Sequence, residues 1–167
     1  MGFQSNTAIH PGRTINRFLD SLDMTQKNLS ERTGVTEKHI SCIVNGESSI
    51  TSDMAVKLSN AIGGDPSFWN NLQTNYDQTL ARLKNDELAA TEVNYVKKFP
   101  YTELVKRGMV DKKTKSIDKV RELWKFFGVN SLSAVSTTEA TAWRRGVVEL
   151  DAKSESLAAW LRCGELG

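Results

Sequence analysis

The sequence predicts an all-α protein: a bundle of five short helices followed by a second helical region. Three observations point there. Apolar residues recur at three- and four-residue intervals, and alternating strand patterns are scarce. The three prolines and eleven glycines are few and sit at segment boundaries. A chain of 167 residues, 39% hydrophobic and 25% charged, has the make-up of an ordered protein and is long enough for one domain or two small ones.

The elements follow in order. Pro11 suits a first helical turn, and Ile15, Phe18, Leu19 and Leu22 then give one apolar face. Asp23-Met24 ends that helix. Thr25 offers an N-cap for a second, Gln26 to Thr33, buried through Leu29 and stopped by Gly34. Only Val35 intervenes before Thr36 can cap a third, Glu37 to Val44, and Asn45-Gly46 marks a turn. Thr51 caps a fourth helix carrying Met54, Leu58 and Ile62 up to Gly63-Gly64. Asp65-Pro66 opens a fifth with Phe68, Trp69 and Leu72. These make a bundle domain over 1–75. Residues 76–92 read as a polar connecting helix or linker, and 93–167 as a C-terminal helical region. Within it, Pro100 and Gly108 bracket a helix from Tyr101 to Arg107. Ser116 caps another holding Ile117, Val120, Leu123, Trp124 and Phe127. A segment around Ala140–Arg145 and a helix from Ser154 to Arg162 follow.

Several function classes are disfavoured. No run approaches the roughly 18 apolar residues of a membrane helix, and Met1–Asn6 has neither basic head nor apolar run, unlike a signal peptide. Cys42 and Cys163, far apart, form no disulfide framework, which fits a cytoplasmic protein. His10 and His39 are the only histidines. No H-E-x-x-H, Cys-x-x-Cys, nucleotide-cradling glycine loop or G-x-S-x-G is present. The expectation is a protein that is not an enzyme, with no cofactor and no metal.

A helix ending in Gly34-Val35, a short turn and a second short helix with inward Ile40 and Ile43 is the spacing of a helix-turn-helix. At 100° per residue, Ile40, Ile43 and Val44 point one way. Lys38, Cys42 and Asn45 point the other, with Ser41 at the side and Glu37 and His39 flanking. In a major groove that outer face meets base edges. Lys38 can donate to guanine, Ser41 can pair with several bases, and Glu37 can accept from cytosine N4. Gln26 and the N–H groups opening the second helix can anchor a phosphate, as can Ser49 and Thr51 before the fourth. Each residue also has an ordinary role: Thr36 and Thr51 are caps first, and Lys38 and His39 suit a solvated surface. Charge runs against expectation, because residues 1–75 hold six Lys/Arg against seven Asp/Glu, a net of −1. Residues 76–167 hold sixteen against thirteen, a net of +3. Double-stranded DNA favours a basic surface.

Residues His10 to Tyr76 resemble the HigA-like antitoxins of the XRE (lambda-repressor-like) helix-turn-helix class. The matching stretches are His10-Pro11-Gly12, Gln26, Leu29, Gly34-Val35, Ile40-Ser41, Ile43-Val44-Asn45-Gly46, Ser49-Ile50-Thr51, Met54-Ala55, Asp65-Pro66 and Phe68-Trp69-Asn70-Asn71-Leu72-Gln73. The resemblance implies a cytoplasmic homodimer that binds operator DNA, represses its own operon and neutralises a cognate toxin. Cys42 and Glu47 depart from the pattern, standing where such proteins often carry basic residues. Tyr101–Gly108, Leu123–Val129, Trp143-Arg144-Arg145 and Leu157–Leu161 are more loosely similar to the connector of longer members that carry an ImmA/IrrE metallopeptidase-like domain. In those the H-E-x-x-H helix would follow the point where this chain stops. The C-terminal region is expected to bind the toxin or extend the dimer, with Trp124, Phe126 and Phe127 as aromatic anchors, though core packing is the alternative for them. Other readings are a stand-alone prophage-type repressor, or a protein-interaction module with little DNA affinity.

Overall fold

A computed structural model describes residues 7–135 and 154–166 and is helical, without strands, among them. It divides into two units, Met1–Leu83 and Lys84–Gly167.

The first unit holds α1 (Gly12–Ser21), α2 (Gln26–Thr33), α3 (Glu37–Asn45) and α4 (Ser52–Ile62), with the first part of α5 (Pro66–Thr91). Their apolar faces meet in one core of Ile15, Leu19, Leu29, Ile40, Ile43, Leu58 and Trp69. Pro11 is buried and in helical conformation immediately before Gly12, where its missing N–H leaves no broken bond. Trp69 is fully buried, and its indole N–H donates to the Gly63 carbonyl at 3.0 Å, so the largest core side chain leaves no orphaned donor. Phe18 stacks on it edge-on at 5.1 Å.

Helix α5 decides between the two readings of 76–92 in favour of a helix. The fifth helix and the 76–92 connector are one continuous helix of 26 residues. No proline or glycine interrupts 67–91, and its polar side chains bond along the helix instead of against it. Gln73 Nε2 donates to Asp77 Oδ1 at 2.9 Å, and Thr79 Oγ1 donates back to the Asn75 carbonyl.

The second unit continues from the end of α5 with a 3₁₀ helix (Val93–Lys98), α6 (Tyr101–Lys106), α7 (Ser116–Phe127) and α8 (Ser154–Leu166). The 3₁₀ turn was not anticipated. Ser116 is the first residue of α7 and not its cap; Lys115 occupies the N-cap position and makes no side-chain capping bond. The segment at 140–145 lies outside the described residues.

Trp124, Phe126 and Phe127 are corrected from the anchor role. All three are buried in the core of this unit with Leu104, Val120, Leu123 and Leu132, because residues on opposite faces of α7 both find partners. The Trp124 indole N–H donates to Glu92 Oε2 at 2.7 Å. Glu92 itself is buried and also accepts from the Leu132 N–H at 2.8 Å and from the Ser131 hydroxyl. Burial alone would push its carboxyl up. The bonds from Leu132, Ser131 and Trp124 outweigh that and hold it below the usual glutamate range.

Candidate DNA-reading surface

The turn between α2 and α3 is built by short-range chemistry. Thr25 and Asn28 form a reciprocal capping box: the Asn28 N–H donates to Thr25 Oγ1 at 3.1 Å, and the Thr25 N–H to Asn28 Oδ1 at 3.0 Å. At the other end Gly34 takes φ 67°, a left-handed conformation in which a β-carbon would be strained. The Ser30 hydroxyl donates to the Val35 carbonyl at 2.6 Å and fastens the turn to α2. Thr36 Oγ1 then accepts from the His39 N–H at 3.3 Å and opens α3.

This frame buries Ile40, Ile43 and Val44 and leaves Glu37, Lys38, His39 and Asn45 exposed, with Ser41 and Cys42 half-buried at the margin. The outer face is therefore the one the periodicity assigned. Its side chains are partly engaged with each other. Asn45 Nδ2 donates to Ser41 Oγ at 3.2 Å, which uses one lone pair of that hydroxyl and leaves its proton for another acceptor. Lys38 adds an exposed ammonium to the same helix. Hydrogen bonding to the Glu47 carboxylate, with lesser contributions from burial and the Glu47 charge, pushes the Cys42 thiol up, opposed in part by Lys38.

The remaining residues frame this face. Thr51 caps α4 by accepting from the Met54 N–H at 3.2 Å, and Ser49 is exposed two residues earlier. A capping threonine uses a lone pair, so the hydroxyls of Thr36 and Thr51 retain a proton for a phosphate oxygen. Gln26 is half-buried at the first position of α2.

A helix-turn-helix family model, HTH_3, matches residues 15–69. The chain is 41% identical over 69 residues to virulence-associated protein A' of Dichelobacter nodosus, spanning 41% of this chain and 60% of that relative. It is 36% identical over 72 residues to antitoxin HigA-1 of Vibrio cholerae, spanning 43% of this chain and 68% of the relative. The chain belongs to the HigA-like helix-turn-helix family. Among solved structures it is similar to an addiction module antidote protein of a HigA family from Coxiella burnetii, at 35% identity and TM-score 0.47, covering 51% of this chain and 94% of that one. The chain thus spans less than two thirds of the first of these relatives. Among the described residues no helix is long and apolar enough to cross a membrane.

In this HigA-like fold two buttressing groups escaped the sequence reading. His10 Nδ1 accepts from the Gly12 N–H at 3.0 Å, and its ring stands edge-on to Tyr76 at 4.7 Å. Burial lowers the imidazole from its ordinary value, opposed in part by the Asp77 carboxylate, and the accepting nitrogen needs the neutral ring. Gly12 lies so close to α3 that an added β-carbon would come within 2.1 Å of the Val44 carbonyl oxygen. The second group is Gln73. It is buried, and its Oε1 accepts from the Ile50 N–H at 2.9 Å, tying α5 to the loop before α4. The signal for the first was the His10-Pro11-Gly12 triplet. For the second nothing local pointed to burial.

Proposed function

We propose that this HigA-like chain is an antitoxin and autorepressor that binds a palindromic operator as a homodimer, represses its own operon and neutralises a co-encoded toxin. The observation that carries the DNA part is the capped α2–turn–α3 frame, which fixes α3 with its apolar side inward, Lys38 and Asn45 outward and Ser41 at the margin. Lys38 and the Ser41 hydroxyl can donate, which suits purine acceptors in a major groove. Gln26, Thr36, Ser49 and Thr51 are assigned to phosphate positioning, and Glu37 and His39 to the flanks of the reading face. Two half-sites would lie about one helical turn, roughly 34 Å, apart.

The names of relatives such as antitoxin HigA-1 support the toxin part. With Trp124, Phe126 and Phe127 buried, the toxin surface is not assigned to them. Replacing Lys38 or Ser41 with alanine should cost about 1–3 kcal/mol in discrimination against a wrong base, read by competition with single-base operator variants. Unchanged discrimination in both mutants removes them from the readout. Rescue of growth when the chain is co-expressed with the protein of its neighbouring gene tests the toxin part. Continued growth arrest despite expression of both would leave a stand-alone repressor.

A further inference from the structure

We propose that the second unit carries its own DNA-contacting face, a sequence-independent phosphate-binding surface formed by Lys112, Lys115 and Lys119. Residues 92–125 hold ten Lys/Arg against five Asp/Glu, a net of +5, and the structure uses up the acidic side. Glu103 pairs with Lys106, Asp111 and Glu122 with Lys113, and Asp118 with Arg121. Glu92 is buried and held by its own hydrogen bonds. Lys112, Lys115 and Lys119 take part in no ion pair among the described residues. They are close in sequence at the start of one helix: Lys112 lies in the loop before α7, Lys115 at the helix's N-cap, and Lys119 four residues on in its first turns.

The arrangement does not serve stability. Like charges at i and i+4 repel, and cations at a helix start oppose the macrodipole. The Lys119 ammonium lies 5.6 Å from the Tyr101 ring centroid, which steadies its stem without neutralising its charge. The composition also selects the partner. Protein interfaces are depleted in lysine and rich in aromatic anchors. Here the aromatic beside Lys119, Tyr101, is buried in the core, and Lys112 and Lys115 are exposed. That pattern fits the repeating phosphates of a duplex. It also answers the charge deficit of the first unit, whose reading helix carries Glu37 and is followed by Glu47. The inference rests on the operator reading only for the choice of duplex, because phosphate contacts are independent of sequence.

The test is fluorescence anisotropy of the full chain across a salt series, on DNA from upstream of its own gene and on a random duplex. The variants are the triple Lys→Gln at 112, 115 and 119, and the triple Lys→Arg at the same positions. If all three lysines neutralise phosphates, the slope of log K against log salt should become less negative by about 2.7 for each bound protomer in the Gln variant. Affinity should fall at least tenfold, by a similar factor on both duplexes, and the preference between them should be unchanged. The Arg variant should keep the native slope. Matching circular dichroism and melting curves identify folded variants, and an Arg variant that folds yet loses the slope counts against the proposal. A Gln variant with native slope and affinity on both duplexes overturns it, as does loss of binding to an acidic protein partner with DNA binding intact. Native binding to both duplexes without preference, weakened in the Gln variant, would uphold this face while the operator reading fails. No native binding to either duplex overturns both.

Discussion

At the scale of single residues, what holds the reading helix in place is as informative as what it presents. Gly12 has no room for a side chain, since the Val44 carbonyl would sit 2.1 Å from an added β-carbon. Gly12→Ala should therefore destabilise the chain by about 1–3 kcal/mol, seen as a lower urea midpoint; an unchanged midpoint would show that α1 and α3 separate easily. His10 supplies a pH dependence whose sign is set by its lowered folded value. The unfolded chain, with an ordinary pKa of about 6.5, binds the proton more readily than the fold does. The stabilisation from the neutral ring is complete above about pH 6.5 and is lost as pH falls from there through the folded value. His10→Asn keeps an oxygen acceptor and removes the titration. The urea midpoint of the native chain should fall more steeply than that of the variant as pH drops through this window. Parallel curves would contradict the assignment. The outward set on α3 was legible because a 100° period needs only the positions of Ile40, Ile43 and Val44. The engagement of Asn45 with Ser41 was not, because several rotamers compete at each and only the packed structure selects one.

At the scale of elements, caps and polar keystones decide the outcome. Glu92 joins the end of α5 to α7 and to the loop after it through Trp124 and Leu132. Glu92→Ala would leave the buried donors of both without an acceptor, at about 1–3 kcal/mol each. Tryptophan fluorescence during urea denaturation should show the loss. A variant as stable as the native chain would mean that water or a rearranged side chain replaces the carboxylate. Helices α1–α4 were readable from sequence because their ends are marked by local chemistry, with Thr25, Thr36 and Thr51 as caps and Gly34 as a left-handed stop. For 76–92 the sequence leaves helix and linker both open, because the middle of α5 is polar and lacks an apolar period. With no breaker between 67 and 91, the backbone ladder simply continues. Ser116 looked like a cap and is not one, since the chain enters α7 one residue earlier. The keystones Gln73 and Glu92 were illegible for a different reason. Their partners lie 23 and 40 residues away, and no local pattern encodes such a meeting. Aromatic anchors were misplaced on the same grounds: Trp124, Phe126 and Phe127 look alike in sequence whether they face a partner or a core.

At the scale of the whole molecule, charge and recognition are unevenly shared. The half that carries the reading helix has a net charge of −1, and the remainder +3. An acidic reader gains little from counterion release, so under the proposed function its affinity would come from placed donors, from two copies on one operator and from the proposed basic face of the second unit. Such a protein should still discriminate sharply, because base contacts set specificity while phosphate contacts set strength. The most direct measurement is anisotropy of the purified chain on DNA from upstream of its own gene, against a shuffled duplex at roughly physiological salt. A preference of about a thousandfold or more is expected, the ordinary margin of specific over non-specific binding. Equal binding to both duplexes would contradict the operator reading and leave the helix-turn-helix as a scaffold without a reading function.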